Sequence, residues 1–333
     1  TGNQTLGSAV VNMYGSSITG ITGSNIDLFA GGSRVNVYAV EGGSSESSIS
    51  GARVGLRQDD TVFHIDSGAV LTINSLLHDG DGAGNNKLIK TGAGKLVLTN
   101  ASNVYSGGTE INAGTLEVSE GASISRGAVT VADGAALLLS GANINLGSNE
   151  ITVQNGGTLT ATEGTTIAAG AVRIEAGATA VLTGVQASHV VIEAGANVTI
   201  TDASAINKLT ISLDAEVSIT GNDFSQTQII LTDVEEGKSL DLSGNNWGTE
   251  SLYEIFAKAG EWAPYITVDG KTMNDMEDIL VTNTDDSGSG SLREAIERAK
   301  VYSAMGVTTP RIVVSPELAG QSIVLSSPLP ALD

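Results

Sequence analysis

Apolar and polar residues alternate in one repeating pattern between residues 129 and 224. This block contains five successive repeats, here called lines. In each line, an apolar residue is followed by further apolar residues two, eight and ten positions later. Alternation by two is the period of a β-strand, because successive side chains on a strand point to opposite faces. Each line therefore predicts two short strands with buried inward residues. The inward residues are Val129, Val131, Leu137 and Leu139; Ile151, Val153, Leu159 and Ala161; Val172, Ile174, Ala180 and Leu182; Val190, Ile192, Val198 and Ile200; and Leu209, Ile211, Val217 and Ile219.

A turn residue separates the two strands of every line, and the turns recur at intervals of 22, 21, 18 and 19 positions. These turn residues are Gly134, Gly156, Gly177, Gly195 and Asp214. A repeat of about twenty residues lies within the range of solenoids. One more apolar residue closes each repeat and predicts a third side, at Ile144, Ile167, Val185, Ile206 and Phe224. We therefore predict an all-β fold, a parallel β-helix with three sides, which is expected to be right-handed because parallel crossovers strongly favour that hand.

The same register extends upstream and downstream of this block. Phe63, Ile65, Leu71 and Ile73 follow it directly. Thr109, Ile111, Leu116 and Val118 follow it with one residue deleted at the turn, and Ile124 supplies the third side. Ile229, Leu231, Leu240 and Leu242 follow it with three residues inserted. Leu88, Leu96 and Leu98 also fit, but the second inward position of that coil, two after Leu88, is Lys90, which the pattern does not explain. Trp247 is predicted to close the last coil.

Residues 1–60 are rich in Gly, Ser and Asn and predict irregular first coils. An imperfect alternation places inward residues at Ile26, Leu28, Val35 and Val37. The Gly- and Ser-rich run 41–48 predicts a loop.

The pattern changes after Trp247. Thr249 is predicted to cap a helix with its apolar residues on one face, Leu252, Ile255, Phe256 and Ala259. Such a helix is suited to cover the open end of a β-helix, where strand edges and core are exposed. We therefore predict a parallel β-helix over 1–248 and a capping helix with linker over 249–278.

Residues 279–333 predict the start of a second β-helix module. Ser291 and Glu294 have the spacing of a helix capping box. The buried stripe of that helix is expected at Leu292, Ala295, Ile296 and Ala299. Two strands are predicted to follow, at Ile312–Val314 and Ile323–Leu325.

Composition narrows the classes of partner and chemistry. Lys plus Arg number 16 and Asp plus Glu number 37, which gives a net charge of −21. A polyanion of this size repels nucleic acid and anionic lipid, so neither is an expected partner. The sequence has no Cys, which excludes thiol catalysis and thiolate metal sites. Without an apolar leader at Thr1, we interpret the chain as a segment of a longer exported protein.

Residues 90–116 resemble the autotransporter-associated β-strand repeat of Gram-negative passenger domains. That repeat has a Lys-Thr-Gly-x-Gly turn, a Leu-x-Leu strand, an Asn-x-Tyr-x-Gly-Gly-Thr corner and an Asn-Ala-Gly-Thr-Leu exit. The matching segments are Lys90–Gly94, Leu96–Leu98, Asn103–Thr109 and Asn112–Leu116. The segment around Ser291 is similar to the Ser-Leu-Arg-Glu-Ala cap that opens parallel β-helix modules of bacterial surface proteins.

These resemblances imply an extracellular, right-handed β-helix displayed at the Gram-negative cell surface or secreted. The motif carries no catalytic residues. The implied partners are surface glycans or proteins of a host or neighbouring cell, and membrane attachment is expected only through a barrel outside this segment. We therefore expect a non-enzymatic passenger or stalk segment, adhesive or acting as a spacer. The alternative is a carbohydrate-active β-helix enzyme, a polysaccharide lyase or glycosidase.

Two acidic motifs were considered as metal sites. A calcium loop needs oxygen ligands at its first, third and fifth positions and Glu at its twelfth. The run Asp79–Asn86 supplies Asp79 and Asp81, but Ala83 and Lys90 occupy the other two positions. The pair Asp285 and Asp286 likewise lacks a full set of oxygen ligands. We therefore expect no metal site and no metal requirement.

Catalytic groupings were weighed in the same way. Glu175 and Glu193 occupy equivalent outward positions on adjacent coils, about 4.8 Å apart at the backbone. Retaining glycosidases hold two carboxyl groups roughly 5–5.5 Å apart. Stacked strands produce such pairs by geometry alone, however, and Arg173 is placed to screen this one. The three histidines, His64, His78 and His189, share no metal-ligand spacing. The sequence therefore predicts no catalytic, cofactor or metal site.

Overall fold

The computed structural model describes residues 4–6, 10–20, 25–28, 33–56, 61–80, 84–249, 251–275, 278–304, 307 and 310–331. It divides into two compact units, residues 1–233 and residues 234–333. The first unit is a parallel β-solenoid with about 10 turns and about 21 residues per turn. The predicted parallel β-helix with coils of about twenty residues is thereby confirmed.

Every coil of the first unit contributes strands to up to three faces, and all described pairings are parallel. The first face contains Val10–Tyr14, Arg34–Tyr38, Thr61–Ile65, Leu88–Thr91, Thr109–Ile111, Val129–Val131, Ile151–Val153, Val172–Ile174, the second halves of Gln186–Ile192 and Ala205–Ser212, and Gln228–Thr232. The second face contains Ser17–Thr19, Glu46–Ser50, Val70–Ile73, Lys95–Leu98, Gly114–Val118, Ala135–Leu139, Thr158–Ala161, Thr179–Thr183, Asn197–Thr201 and Glu216–Ile219.

The third face is formed in two separate stretches. The early coils supply Gln4–Leu6, Asn25–Leu28, Arg53–Leu56 and Leu77–Asp79. The later coils supply Asn143–Asn145, Thr166–Ala168 and the first halves of Gln186–Ile192 and Ala205–Ser212. Between these stretches, only an isolated bridge joins His78 to Val104.

The predicted inward register is confirmed on the first face. Val131, Val153, Ile174, Ile192 and Ile211 are paired coil to coil in that order. All five are buried, because each side chain covers the apolar surface of its neighbours above and below. The predicted third-side residues are buried as well, at Ile144, Ile167, Val185, Ile206 and Phe224.

Two inward predictions need comment. Val217 is only half-buried, because its strand Glu216–Ile219 is the last of the second face and has a paired strand on one side only. The strand Asn25–Leu28 forms as expected, but the structure does not describe the side chains of Ile26 and Leu28, so their burial stays a prediction.

The predicted loop 41–48 is wrong in its second half, because Glu46–Ser50 is a strand that buries Ser47 and Ile49.

The predicted turn glycines form a column of hydrogen bonds along the solenoid. Gly134 N donates to Gly156 O at 3.1 Å, Gly156 N to Gly177 O at 3.1 Å, and Gly177 N to Gly195 O at 2.9 Å. Gly195 N donates in turn to Asp214 O at 2.9 Å. Gly156 has a φ of +75°, a conformation that glycine adopts without the cost that a Cβ imposes.

The second unit contains two short parallel strand pairs and two α-helices. Leu240–Asp241 pairs with Ile266–Thr267, and Ile279–Val281 pairs with Ile312–Val314. The helices are α1 (Leu252–Ala259) and α2 (Leu292–Ala304), and short 3-10 turns lie at Gly260–Tyr265, Met273–Asp275 and Pro316–Leu318. The apolar face of α1 buries Ile255, Phe256 and Ala259, and that of α2 buries Ala295, Ile296, Ala299 and Tyr302.

Three local predictions in this unit need correction. Thr249 does not cap α1, because its hydroxyl accepts from Ser251 N at 3.2 Å and the helix begins at Leu252. Half of the capping box forms: Ser291 Oγ accepts from Glu294 N at 3.2 Å, while Ser291 N donates to Gly288 O. Residues 323–325 do not form a strand, because no described strand lies beside them to pair with.

Candidate functional site

The outer surface of the later coils has a corner where strands bend without a turn. Gln186–Ile192 and Ala205–Ser212 each run from the third face into the first. Within the first of these strands, Ala187 and Val190 are buried, whereas Ser188 and His189 between them both face outward. Two consecutive outward residues on adjacent coils bring polar side chains of the two faces together at this corner.

An ion triple lies on the first face beside the corner. Arg173 Nε is 3.1 Å from Glu150 Oε2, and Arg173 Nη1 is 3.0 Å from Glu193 Oε1. The hydrogen bonds that Arg173 donates to Glu150 and Glu193 raise the pKa of its guanidinium above its usual value. Arg173 therefore binds Glu193, as the sequence predicts, and its other described partner is Glu150. Since its carboxylate is bound to a permanent cation, Glu193 is poorly suited to act as a nucleophile or a general acid.

The three histidines are placed in separate environments. His189 Nε2 lies 3.1 Å from Thr210 Oγ1, and burial, with Lys208 next in importance, lowers the pKa of the imidazole. His64 Nδ1 lies 3.0 Å from Thr91 Oγ1, and His78 Nδ1 lies 3.1 Å from its neighbour's carbonyl, Asp79 O. Among the residues that the structure describes, no group of three His, Asp or Glu side chains could hold a metal ion.

Within the described residues, the carboxylates of the acidic motifs accept hydrogen bonds from neighbouring segments of the chain. The Asp79 carboxylate accepts from Ser106 N at 3.2 Å and from Ser106 Oγ at 2.7 Å. Asn85 N donates to the same Ser106 Oγ, so the loop is tied to the next coil. The candidate calcium-loop positions Asp81 and Ala83 lie outside the described residues.

Asp286 is held in the second unit by a basic and a hydroxyl side chain. Its carboxylate accepts from Arg293 Nη2 at 2.8 Å and from the backbone and hydroxyl of Ser326. Hydrogen bonds from Ser326 and Arg293 lower the pKa of Asp286 to about 2. Arg293 also donates to the carbonyls of Ser327 and Pro328, so one guanidinium joins α2 to the segment after the last described strand.

The unexplained Lys90 is a fully buried cation enclosed by backbone carbonyls. It pairs with Phe63 on one side and Ile111 on the other, as an inward residue should. Its ammonium Nζ donates to Thr91 O at 2.9 Å, Gly92 O at 2.7 Å and Ala113 O at 3.0 Å. Burial lowers the pKa of Lys90 to about 8. The ammonium thus donates hydrogen bonds to backbone carbonyls in the turn of its own coil and in the turn of the next coil.

The corner of the same coil uses side chains where other coils use a third strand. Asn103 Oδ1 accepts from Leu77 N at 2.9 Å, and Asn103 Nδ2 donates to Ser123 O at 2.7 Å. One amide therefore bonds the preceding coil and the following coil. Tyr105 is fully buried with its hydroxyl 2.7 Å from Thr109 Oγ1, and burial raises the pKa of that phenol to about 12.

The glycines of this coil mark close approaches between backbones. A Cβ on Gly94 would lie 2.2 Å from Asp66 O, and one on Gly107 would lie 2.3 Å from Asn85 O. Real side chains do not reach such distances, so these positions require glycine. The buried Lys, the bridging Asn, the buried Tyr and the close glycines are together the residues of the motif seen in the sequence.

Comparison with known families matches a known repeat to this coil and to part of the next coil. Residues 88–118, less than a tenth of the chain, match the passenger-associated transport repeat. None of the curated proteins and none of the solved structures that were searched matches the chain significantly. The repeat and the parallel β-solenoid around it fit one class of protein, the passenger domain of an autotransporter with β-strand repeats.

The family match indicates where the protein is located and what kind of role it has. The repeat implies an exported protein, at the cell surface or secreted, and it suggests a structural role. Within the described residues, no helix is both long enough and apolar enough to cross a membrane.

Proposed function

We propose that this chain is a non-enzymatic segment of an autotransporter passenger, which holds binding surfaces away from a Gram-negative outer membrane. The observation that carries the proposal is the transport-repeat coil set in register within an unbroken solenoid. A stack of parallel coils is stiff, and each added coil lengthens it by one strand spacing, about 4.8 Å. The segment is therefore suited to act as a spacer.

The outer surface supports a structural role over catalysis. Outward carboxylates on neighbouring coils are matched with cations at Lys87–Glu110, Lys95–Glu117 and the Arg173 triple. Such pairs between coils limit repulsion in a chain with a net charge of −21. A glycosidase would instead need one carboxylic acid kept protonated beside a free carboxylate.

The spacer role is tested by removing two whole coils in register. Val129 and Val172 occupy equivalent positions two coils apart, so deletion of residues 129–171 joins Ala128 to Val172 without shifting the inward pattern. We expect the full-length protein to remain displayed on the cell surface, with its outer part about 10 Å closer to the membrane. A matched deletion ending one residue later, 129–172, places the charged Arg173 and Glu175 at the inward positions of Val129 and Val131 and should abolish display.

The enzyme alternative is tested on the purified chain. Neutral and acidic polysaccharides incubated with it should show no new reducing ends and no unsaturated products. Cleavage that is lost in Glu193→Gln would contradict the non-enzymatic proposal.

A further inference from the structure

The third face of the later coils carries a shallow groove of about 240 Å³. It crosses three consecutive coils, at the strands that contain Thr166, Gln186 and Asn207. Three alanines and Ile167 line it together with the polar side chains of Thr166, Gln186, Ser188 and Asn207. No charged residue lines the groove, although the protein carries 53 charged side chains (37 acidic and 16 basic).

Several polar groups in the groove have unused hydrogen-bonding capacity. In the part of the chain that the structure describes, no hydrogen bond engages the side chains of Gln186, Ser188 or Asn207. Some outward amides elsewhere on the solenoid are paired between coils, as where Asn197 Nδ2 donates to Glu216 Oε2 at 3.2 Å. Thr166 donates its hydroxyl hydrogen to Asn143 at 2.9 Å, which leaves the oxygen able to accept.

The chemistry of these groups favours one class of ligand. Amides and hydroxyls offer both donors and acceptors without charge, which suits the hydroxyl groups of a sugar. A polyanion would be repelled by the net charge of −21. A peptide adding as a strand needs an open sheet edge, whereas Gln186–Ile192 is paired on both sides.

We propose that this groove binds a neutral glycan chain through Gln186, Ser188 and Asn207. The inference rests on the proposed extracellular role and names a surface that the segment would present there. Thr166 and Gln186 are register partners on adjacent coils, and the register of the next pair of coils sets Ser188 beside Asn207. The polar groups of each pair are therefore about one strand spacing of 4.8 Å apart and can meet successive hydroxyls along a glycan. No aromatic ring lines the groove, so recognition depends on these hydrogen bonds and is sensitive to their removal.

The test uses saturation-transfer NMR and calorimetry to measure binding of neutral hexose oligosaccharides of four to six units, with α- and β-linked backbones, to the whole chain. Galacturonate oligomers of the same length are measured beside them as acidic counterparts. The variant Gln186→Leu/Asn207→Leu removes both amides at exposed positions while keeping comparable side-chain size. Gln228→Leu removes an exposed amide on the first face and serves as the matched control. We expect at least one neutral oligosaccharide to bind, the double variant to weaken binding at least tenfold, and the control to leave it unchanged.

Three outcomes would overturn the proposal: no neutral oligosaccharide of the panel binds, the double variant binds as well as the parent chain, or only galacturonate oligomers bind. Circular dichroism of each variant separates loss of the site from loss of the fold. Surface display of the full-length protein is measured in parallel. Display without glycan binding refutes the groove alone, whereas cleavage of an oligosaccharide refutes the non-enzymatic function itself.

Discussion

The substitution Lys90→Met tests whether the buried ammonium is a structural part of the transport-repeat coil. Methionine keeps a long unbranched side chain between Phe63 and Ile111 but removes the donor to three carbonyls. A buried carbonyl left without its donor costs about 1–3 kcal/mol, so three of them give roughly 3–9 kcal/mol. This loss of stability is partly offset, because the neutral methionine does not incur the free-energy cost of burying a charge.

The opposing free energy follows from the pKa of Lys90. That pKa falls from 10.5 to about 8 on folding, a difference of 10.5 − 8 = 2.5. At 1.36 kcal/mol per pKa unit, burying the charge costs roughly 3 kcal/mol. The loss from the three carbonyls has a midpoint of about 6 kcal/mol, and the relief of charge burial offsets about 3 kcal/mol of it. We therefore expect Lys90→Met to lower the free energy of unfolding by about 3 kcal/mol at pH 7.

The same pKa gives a pH dependence with a definite sign. Between pH 8 and pH 10.5 the unfolded chain binds more protons at Lys90 than the folded chain does, so this residue makes stability rise with pH in that window. The Lys90→Met variant lacks this rise. The gap in unfolding free energy between parent and variant is therefore expected to widen from pH 7 towards pH 10.

Urea unfolding followed by far-ultraviolet circular dichroism measures both effects. Lys95→Met is the matched control, because Lys95 lies in the same repeat but pairs with Glu117 on the surface, at 2.8 Å with 41% of its side chain exposed. Its loss should stay below about 1 kcal/mol. If Lys90→Met is as stable as the parent at pH 7, the three carbonyls do not need the ammonium. If the gap narrows as pH rises, the charged form is the favoured one and the sign is wrong.

Four further outcomes are expected. Ile192→Asp should lower the unfolding free energy by about 4 kcal/mol or more in urea titrations, whereas Val191→Asp, outward on the same strand, should change it little. Gly92→Ala should cost more than Gly134→Ala in the same assay, because both have φ near +70° but only a Cβ on Gly92 would meet a backbone oxygen, Ile65 O at 2.3 Å. The second unit should lose stability as pH falls from about 4 to about 2, because folded Asp286 remains ionised there while the unfolded carboxyl is protonated. Asp286→Asn should weaken that dependence in acid melts without removing it, because the pKa values of Asp241, Asp275 and Asp278 in the same unit are also lowered. Chelator should leave the melting temperature of the chain unchanged, and a marked drop would restore the calcium interpretation of the loop at Asp79.

The inward register was predictable because it depends only on a local period. Val131 and Ile192 belong to the same stack, and each could be placed from its own strand and turn. Ser47 could not be placed in this way, because its strand lacks apolar alternation and is held by its neighbours, including Ser16 N donating to Ser47 Oγ at 3.2 Å. Residues 323–325 show the converse: they are three apolar residues suited to a strand but have no described strand to pair with.

The contacts of the candidate sites depend on side chains that meet across coils. Lys90 was identified as an inward lysine, but one of its acceptors is Ala113 O, in the turn of the following coil. Glu175 and Glu193 follow the register partners Ile174 and Ile192, whereas Arg173 reaches back to Glu150, 23 residues earlier. The groove depends on the bend within Gln186–Ile192, and no turn residue marks that bend in the sequence.

The column of turn glycines also has an electrical consequence. Gly156 and Gly177 each accept from the preceding coil and donate to the following one, so their peptide dipoles point the same way along the axis. Aligned peptide dipoles add, as in an α-helix, and leave partial positive charge at the end where N–H groups point. That end is the C-terminal one, where the turn residue changes from glycine to Asp214. An acidic side chain is favoured there for the reason that Asp and Glu are favoured in the first turn of a helix, so the solenoid carries a polarity that its nearly identical coils do not reveal.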